Sequence, residues 1–284
     1  MDNLEYKIEP KENFYFALKV IFGLAGYVLF YYIIKLLFSN DNFMSFVPLL
    51  VYIPIILLVL FFRMGLLIGY LKGNSIKVTD KQFSDLNKIV EEQCRTLGMQ
   101  NVPDVYILQN GGLLNAFAAR FIGSNYIVLY SDIVEEAYEN NYDSLAFIIG
   151  HELGHVKRKH MIKSLIFFPS IIVPFLNGAY SRACEYTCDS IGFSLKPKGA
   201  QPGILLLAAG KKIWQKVNVD EFIKQEQTEI GFWSWFAEKV STHPKLTKRL
   251  MRFDQLTPVI KKQAVVESVK VQEIKSDHSS YMPN

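Results

Sequence analysis

The stretch 150–155 reads GHELGH, with His151 and His155 four positions apart and Glu152 beside the first histidine. On a helix that spacing puts both imidazoles on one face, about one turn apart. Neutral imidazoles so placed can bind one zinc ion, and Glu152 beside them could take a proton from zinc-bound water, whose pKa is about 7. An H-E-x-x-H pattern on a helix therefore points to zinc-dependent peptide hydrolysis, although so short a pattern also arises by chance. A catalytic zinc needs a third protein ligand and one open position. His160 is expected to turn away from the shared face, toward solvent or lipid headgroups. A better candidate lies in SRACEYTCDSIG (181–192), where Glu185 and Asp189 are four apart. Glu185 is expected as the third ligand and Asp189 as an acceptor for the N–H of a ligating histidine. Their neighbours Ala183, Cys184, Tyr186, Cys188, Ile191 and Phe193 are not those of a solvated acidic face. Gly150 and Gly154 each cost about 1 kcal/mol relative to alanine inside a helix, so another element or a substrate should pass close to them.

The helix that carries GHELGH is predicted to start near Asp143 and run to His160, with Leu145, Ile148, Ile149 and Leu153 as its apolar face. Before it, 79–98 reads as a helix capped by Thr79 or Asp80 and ended by Gly98. Three short strands are predicted at 104–109, 115–121 and 125–130, the last two joined as a hairpin at 123–124. Ser131 is a candidate N-cap for a helix beginning DIVEEAYE, and 244–256 reads as a closing amphipathic helix with Pro244 in its first turn. A helix, a small antiparallel sheet and then helices make an α+β domain rather than an alternating βαβ fold.

The chain has 284 residues, half of them hydrophobic, and a formal net charge of +4. The apolar excess sits mostly in the first 71 residues. Residues 14–38 carry no charge between Lys19 and Lys35, and 43–62 carry none at all. Each meets the requirement of roughly 20 apolar residues for a bilayer-spanning helix, with Pro48 and Pro54 as tolerable kinks. A cleaved signal peptide is not expected, because the start is acidic and a second apolar span follows at once. The loop 39–42 lacks lysine and arginine, whereas Lys7, Lys11, Arg63, Lys72, Lys77, Lys81 and Lys88 flank the pair. The positive-inside rule then places both ends of the hairpin in the cytoplasm. The expected organisation is a transmembrane hairpin over 1–73, a metallopeptidase domain over 74–258 and a mobile polar tail over 259–284. The mild charge, with no basic–aromatic surface, argues against a nucleic-acid partner. Cys94, Cys184 and Cys188 form no disulfide framework and read as small core residues of a reducing compartment.

GHELGH, then SRxxEYxxD, then STHP at 241–244 resembles the family of membrane zinc metallopeptidases that includes HtpX and the type I CAAX prenyl proteases, gluzincins with HExxH and ExxxD motifs. The resemblance extends from roughly 103 to 255. It implies a mainly helical zincin-like domain in which His151, His155 and Glu185 bind Zn2+ and Glu152 is the general base. It implies further that Asn115, Ala116 and Phe117 belong to an edge strand pairing with extended substrate. His243 would approach the site and stabilise the oxyanion, with Arg182 or Asp189 in support. The expected placement is an integral, multi-pass protein of a bacterial cell membrane, with the charge pattern putting the catalytic domain in the cytosol.

Residues 161–180, MIKSLIFFPSIIVPFLNGAY, are apolar enough to suggest a further span. A single crossing would put His155 and Glu185 on opposite sides of the bilayer. Two crossings need about 40 residues plus a turn, more than the interval between them allows. The segment is therefore expected to be buried, re-entrant or interfacial, which departs from HtpX-like chains with a second membrane pair here. KRK at 157–159 could face anionic headgroups, and IGFWSWF at 230–236 could touch the interface. The expected function is a membrane-bound zinc metalloendopeptidase, acting on polypeptides in membrane or misfolded protein turnover. The alternatives are a non-catalytic zinc-binding membrane scaffold or adaptor, and a zinc enzyme acting on something other than peptide. Nothing in the sequence sets the oligomeric state.

Overall fold

The computed structural model describes residues 4–39, 44, 47–109, 116–121, 123–140 and 142–256. It opens with two long apolar helices, α1 (Pro10–Phe38) and α2 (Val47–Asn74). Both are long and apolar enough to cross a membrane, and most of their apolar side chains are left uncovered by the rest of the chain. Helix α2 continues well past residue 62, where the span was expected to end. Its last turns have a second task. Ile68 and Leu71 are buried against Tyr106, Leu108, Ala119, Tyr126 and Val128, so the end of α2 covers one face of a sheet.

That sheet has β1 (Ile76–Lys77), β2 (Asp104–Leu108), β3 (Ala116–Phe121) and β4 (Ser124–Tyr130) in the order β1-β2-β4-β3. The predicted strands and the 123–124 hairpin are present, with Gly123 at φ 82° in the turn. One pairing differs from expectation: β2 and β4 run parallel, so the sheet is mixed rather than antiparallel. The chain goes out along β3 and returns along β4, and β4 inserts next to β2. Tyr126, Ile127, Val128 and Leu129 of β4 are all buried, which suits a central strand, whereas β3 carries Arg120 and takes the edge. Residues alternate between faces. Ile127 and Leu129 join the main core, and Tyr126 and Val128 join the cluster under α2.

The main core lies on the other face of the sheet. It collects α3 (Ser84–Thr96), α4 (Ser131–Glu139), α5 (Asp143–Lys157), α7 (Leu176–Leu195) and α8 (Pro197–Ala209). Helix α3 is shorter than predicted because Thr79 and Gln82 pair as a bridge and Phe83 turns with positive φ, while Gly98 ends the segment at φ 61° as expected. Helices α9 (Val219–Thr228), α10 (Phe232–Val240) and a last helix over 246–256 close the domain. The tail expected over 259–284 lies outside the described residues.

The apolar segment 161–180 does not form one membrane-length helix. Helix α6 (His160–Ile166) and a 3-10 turn (Phe168–Ile172) run along α1, and α7 brings the chain back. Tyr27 donates its hydroxyl to the Ile166 carbonyl at 2.7 Å, and Gly26 lies against Pro169, so close that a Cβ there would sit 2.6 Å from the proline ring. His155 and Glu185 therefore stay on the same side, as a shared metal ion requires.

Candidate metal centre and active site

Helix α5 supplies His151, Glu152 and His155, and α7 supplies Glu185 and Asp189. The two helices meet at small residues. A Cβ on Gly154 would lie 3.1 Å from Cys188 Sγ and 3.2 Å from Cys188 Cα, and one on Gly150 would lie 2.9 Å from Leu195 Cδ1 and 3.2 Å from Gly192 Cα. The glycines that looked costly for a helix are thus the places where α7 comes in, and this approach carries Glu185 to the histidines.

His151 Nε2 is 3.3 Å from His155 Nε2, His151 Nε2 is 3.3 Å from Glu185 Oε2, and His155 Nε2 is 3.3 Å from Glu185 Oε1. Ligands about 2.0–2.1 Å from a tetrahedral zinc ion are separated by about 3.3–3.4 Å, so this donor set fits zinc in chemistry and in spacing. Two other buried groups of donors, His155 with His160 and Cys188, and Glu12 with His160 and Cys184, are close enough to hold a metal. They suit one less well, because burial first, and nearby carboxylates second, hold both thiols up: Cys184 at about 12 and Cys188 well above its ordinary value.

Asp189 lies behind His151. Its Oδ1 lies 2.9 Å from His151 Nδ1, so it would hold a proton on Nδ1 and leave the Nε2 lone pair for a metal ion. Arg249, on the last helix, grips the same carboxylate through Nε at 2.8 Å and Nη2 at 2.6 Å. Burial would raise the Asp189 pKa, but Arg249 and then His151 outweigh it and hold the carboxyl below its usual range. Burial would likewise lower His151, yet Asp189 and Glu185 bring it up to about 10. Glu185 is driven well below its usual value by the two histidines despite its burial.

His155 has a different backing. The helix breaks at Lys159, a non-glycine residue at φ 57°, and the break swings His160 back toward the site. His160 is buried, not exposed as expected, with Nδ1 3.2 Å from His155 Nδ1 and Nε2 3.2 Å from Glu12 Oε1. Arg158, the middle residue of KRK, also turns inward onto Glu12, at 2.7 Å.

A cavity of about 320 Å³ opens over the cage. Glu152, His155, Glu185 and His243 line it, as do Ala116, Phe117 and the rest of edge strand β3 up to Arg120. Asn115 lies outside the described residues. His243 reaches the site on the loop before the last helix, with Nε2 3.5 Å from Glu185 Oε1 and Nδ1 3.0 Å from Thr242 Oγ1. Arg182 acts at one remove: its Nη1 donates to the carbonyls of Lys239 (3.0 Å) and Ser241 (2.6 Å), so it tethers the loop that presents His243.

Sequence reasoning missed Arg249, Glu12 and the true place of His160. Arg249 has a signal in retrospect, since it is a charged residue on the apolar side of an amphipathic helix, between Leu246, Leu250 and Phe253. Glu12 has a weaker one, an acidic residue at the mouth of an apolar helix.

Residues 80–173 match the model of Peptidase family M48, a stretch that contains His151, Glu152 and His155 and stops before Glu185. The match covers about a third of the chain and agrees with the resemblance its motifs carry; Glu185, the third donor, lies outside the matched stretch. A crystal structure of Ste24p from S. mikatae is similar with a TM-score of 0.48 at 16% identity, covering 85% of this chain and 65% of that one. No curated protein gives a match.

Proposed function

We propose that the chain is a membrane-anchored zinc metalloendopeptidase in which His151, His155 and Glu185 hold the metal. The observation that carries this reading is the set of three donor separations of 3.3 Å beneath a cavity that Glu152 also lines. What zinc supplies in such a cage is a water with a pKa of about 7 and a polarised carbonyl. The rest falls to the chain's own groups. An extended peptide would add to the β3 edge, main chain to main chain, beside Phe117. Glu152 would take the proton of the attacking water and return it to the leaving amine. His243, whose Nε2 lies 3.5 Å from Glu185 Oε1, is close enough to the cage that it would donate a hydrogen bond to the developing oxyanion. Asp189 and Arg249 would hold the His151 tautomer throughout.

The two apolar helices support insertion in a bilayer, and the lysine pattern supports a cytosolic domain. The exposed aromatic residues of α10, Phe232, Trp233 and Trp235, support contact with the membrane surface, and Phe236 links them by a ring contact to Phe175 at the end of the 161–175 hairpin. Turnover of membrane or misfolded proteins is the role that suits this placement. Purified zinc-loaded protein should cleave an unfolded substrate such as casein, and Glu152→Gln should stop cleavage while zinc stays bound. A zinc-binding scaffold without catalysis would show no cleavage by either form, and equal activity in both would remove Glu152 from the mechanism.

A further inference from the structure

His155 differs from His151 in what stands behind it. The far nitrogen of His151 faces a carboxylate directly, whereas the far nitrogen of His155 faces another histidine. The donor and acceptor roles along that chain can be worked out from its end. Glu12 is 1% exposed, and its Oε1 receives Nε and Nη2 of Arg158 at 3.2 and 2.7 Å. A carboxylate held by an arginine only accepts, so His160 Nε2, 3.2 Å from the same oxygen, carries a proton. A neutral imidazole protonated there has a bare Nδ1 and must accept from its neighbour. His155 Nδ1 at 3.2 Å is then the donor, and the lone pair of His155 is left on Nε2, the atom 3.3 Å from His151 Nε2 and from Glu185 Oε1. Cys188 Sγ, 3.7 Å from His160 Nδ1, can add a second donor to that acceptor without changing the order.

We propose that Glu12 and His160 are positioning residues of the metal site, a relay from the first apolar helix that fixes the tautomer and ring orientation of His155. This rests on the reading of His155 as a zinc ligand. Both histidines are then backed by a carboxylate gripped by an arginine, Asp189 with Arg249 on one side and Glu12 with Arg158 on the other, and the second passes through His160. Helix α1 becomes part of the site as well as an anchor.

The test uses the full-length protein in lipid nanodiscs. Zinc affinity is measured by chelator competition, and the cobalt-substituted protein is examined by its visible d–d absorption. His160→Ala and Glu12→Ala should each weaken zinc binding by about 10- to 100-fold, the range usual for partners behind a metal ligand. The double variant should fall little below the weaker single one, because both cut one chain. His160→Asn, whose side-chain oxygen can still accept from His155, should recover most of the loss, and Glu12→Gln should lie between Glu12→Ala and wild type. The cobalt bands should shift in His160→Ala. Tyr27→Phe loosens the same α1–α6 contact away from the relay and should leave zinc affinity and spectrum unchanged.

Wild-type affinity and spectrum in folded His160→Ala and Glu12→Ala would overturn the proposal. So would a loss in Tyr27→Phe equal to theirs, which would mark a general effect of helix docking. Should the alanine variants fail to fold, wild-type behaviour of Glu12→Gln together with no advantage of His160→Asn over His160→Gln overturns it equally. A wild-type protein that binds no zinc would remove the metallopeptidase reading with the relay, whereas tight wild-type binding indifferent to these changes removes the relay alone.

Discussion

Replacing Arg249 by methionine tests how the buried charges of the site are balanced. Methionine keeps much of the length of the side chain and discards its charge and donors. With zinc in the proposed site, the cluster would set a divalent cation and Arg249 against Glu152, Glu185 and Asp189, which comes to neutrality. Without Arg249 one negative charge is uncompensated, and it falls on Asp189, which is 1% exposed and loses hydrogen bonds of 2.8 and 2.6 Å. Breaking a buried pair by removing one partner costs about 3–5 kcal/mol, because the remaining charge stays buried. For a domain of this size each 1 kcal/mol lowers the melting temperature by about 2–4 °C, so a drop of about 6 °C or more is expected. His151 loses a firmly held acceptor as well, and zinc affinity should fall by about 10- to 100-fold. The assays are thermal unfolding of the loaded protein and chelator competition. The decisive comparison is the double variant Asp189→Asn, Arg249→Met, which removes both charges and should be more stable than Arg249→Met alone. A single variant with wild-type melting and zinc affinity, or a double variant whose losses simply add, would refute the reasoning.

Gly154→Ala gains about 1 kcal/mol of helix propensity but forces a methyl group to within 3.1–3.2 Å of Cys188, at an overpacking cost of about 1–3 kcal/mol. Its stability should stay within about 2 kcal/mol of wild type while zinc affinity falls; Gly192→Ala, whose Cβ would meet the Phe147 carbonyl at 2.8 Å, should lose more of both, and unchanged affinities would show that the helix spacing does not set the cage. Chelation should abolish cleavage, and zinc at 100 times its dissociation constant should stabilise the fold by about 2.7 kcal/mol, read as a melting temperature that climbs with zinc. His243→Ala should lower kcat by about 100- to 1000-fold with little change in zinc affinity, as loss of an oxyanion donor does, and a change confined to KM would place His243 in substrate binding instead. In liposomes of brominated lipid, Trp233 and Trp235, 76% and 51% exposed, should be quenched far more than Trp214, which packs against the main core; equal quenching would lift α10 off the membrane.

What could be read from the sequence was whatever depends on local spacing. The pairs His151/His155 and Glu185/Asp189 obey helical periodicity, and each landed on one face. The strands and the 123–124 hairpin follow from alternation and a glycine turn. Topology beyond one hairpin was not local: β4 displaced β3 from the place beside β2 because it is the more apolar strand, a choice made by burial on both faces. The place of His160 does not follow from helical spacing, because the helix breaks just before it. The break at Lys159 has no glycine or proline to announce it, and a lysine in the left-handed region is tolerated only where the surrounding packing holds it. Arg249 and Glu12 escaped because their partners lie 60 and 148 residues away along the chain.

The membrane and the metal cage constrain each other more closely than the residue count alone required. From Glu12 to Tyr27, α1 is followed by the hairpin of α6 and the 3-10 turn, a length of about 22 Å at 1.5 Å per residue. The charge-free stretch of α1 begins only after Lys19, whose ammonium meets the Asn177 side-chain oxygen and lies 5.2 Å from the Tyr180 ring centre. The hairpin would therefore enter the hydrocarbon by the eight residues from Lys19 to Tyr27, about 12 Å, less than half of a core about 30 Å thick. A backbone turning at that depth must satisfy its own polar groups. It does so through bonds of Ser170 N to Phe167 O, Val173 N to Ser170 O and Leu176 N to Val173 O, while Phe168, Ile171 and Ile172 point outward as apolar surface. On that placement helix α7 would start inside the bilayer and rise past Lys19 to deliver Glu185 at the level of Glu12 and His160. In that arrangement the cage would stand just above the membrane surface, and the peptide bonds within reach of β3 would be those of chains held at or emerging from the bilayer.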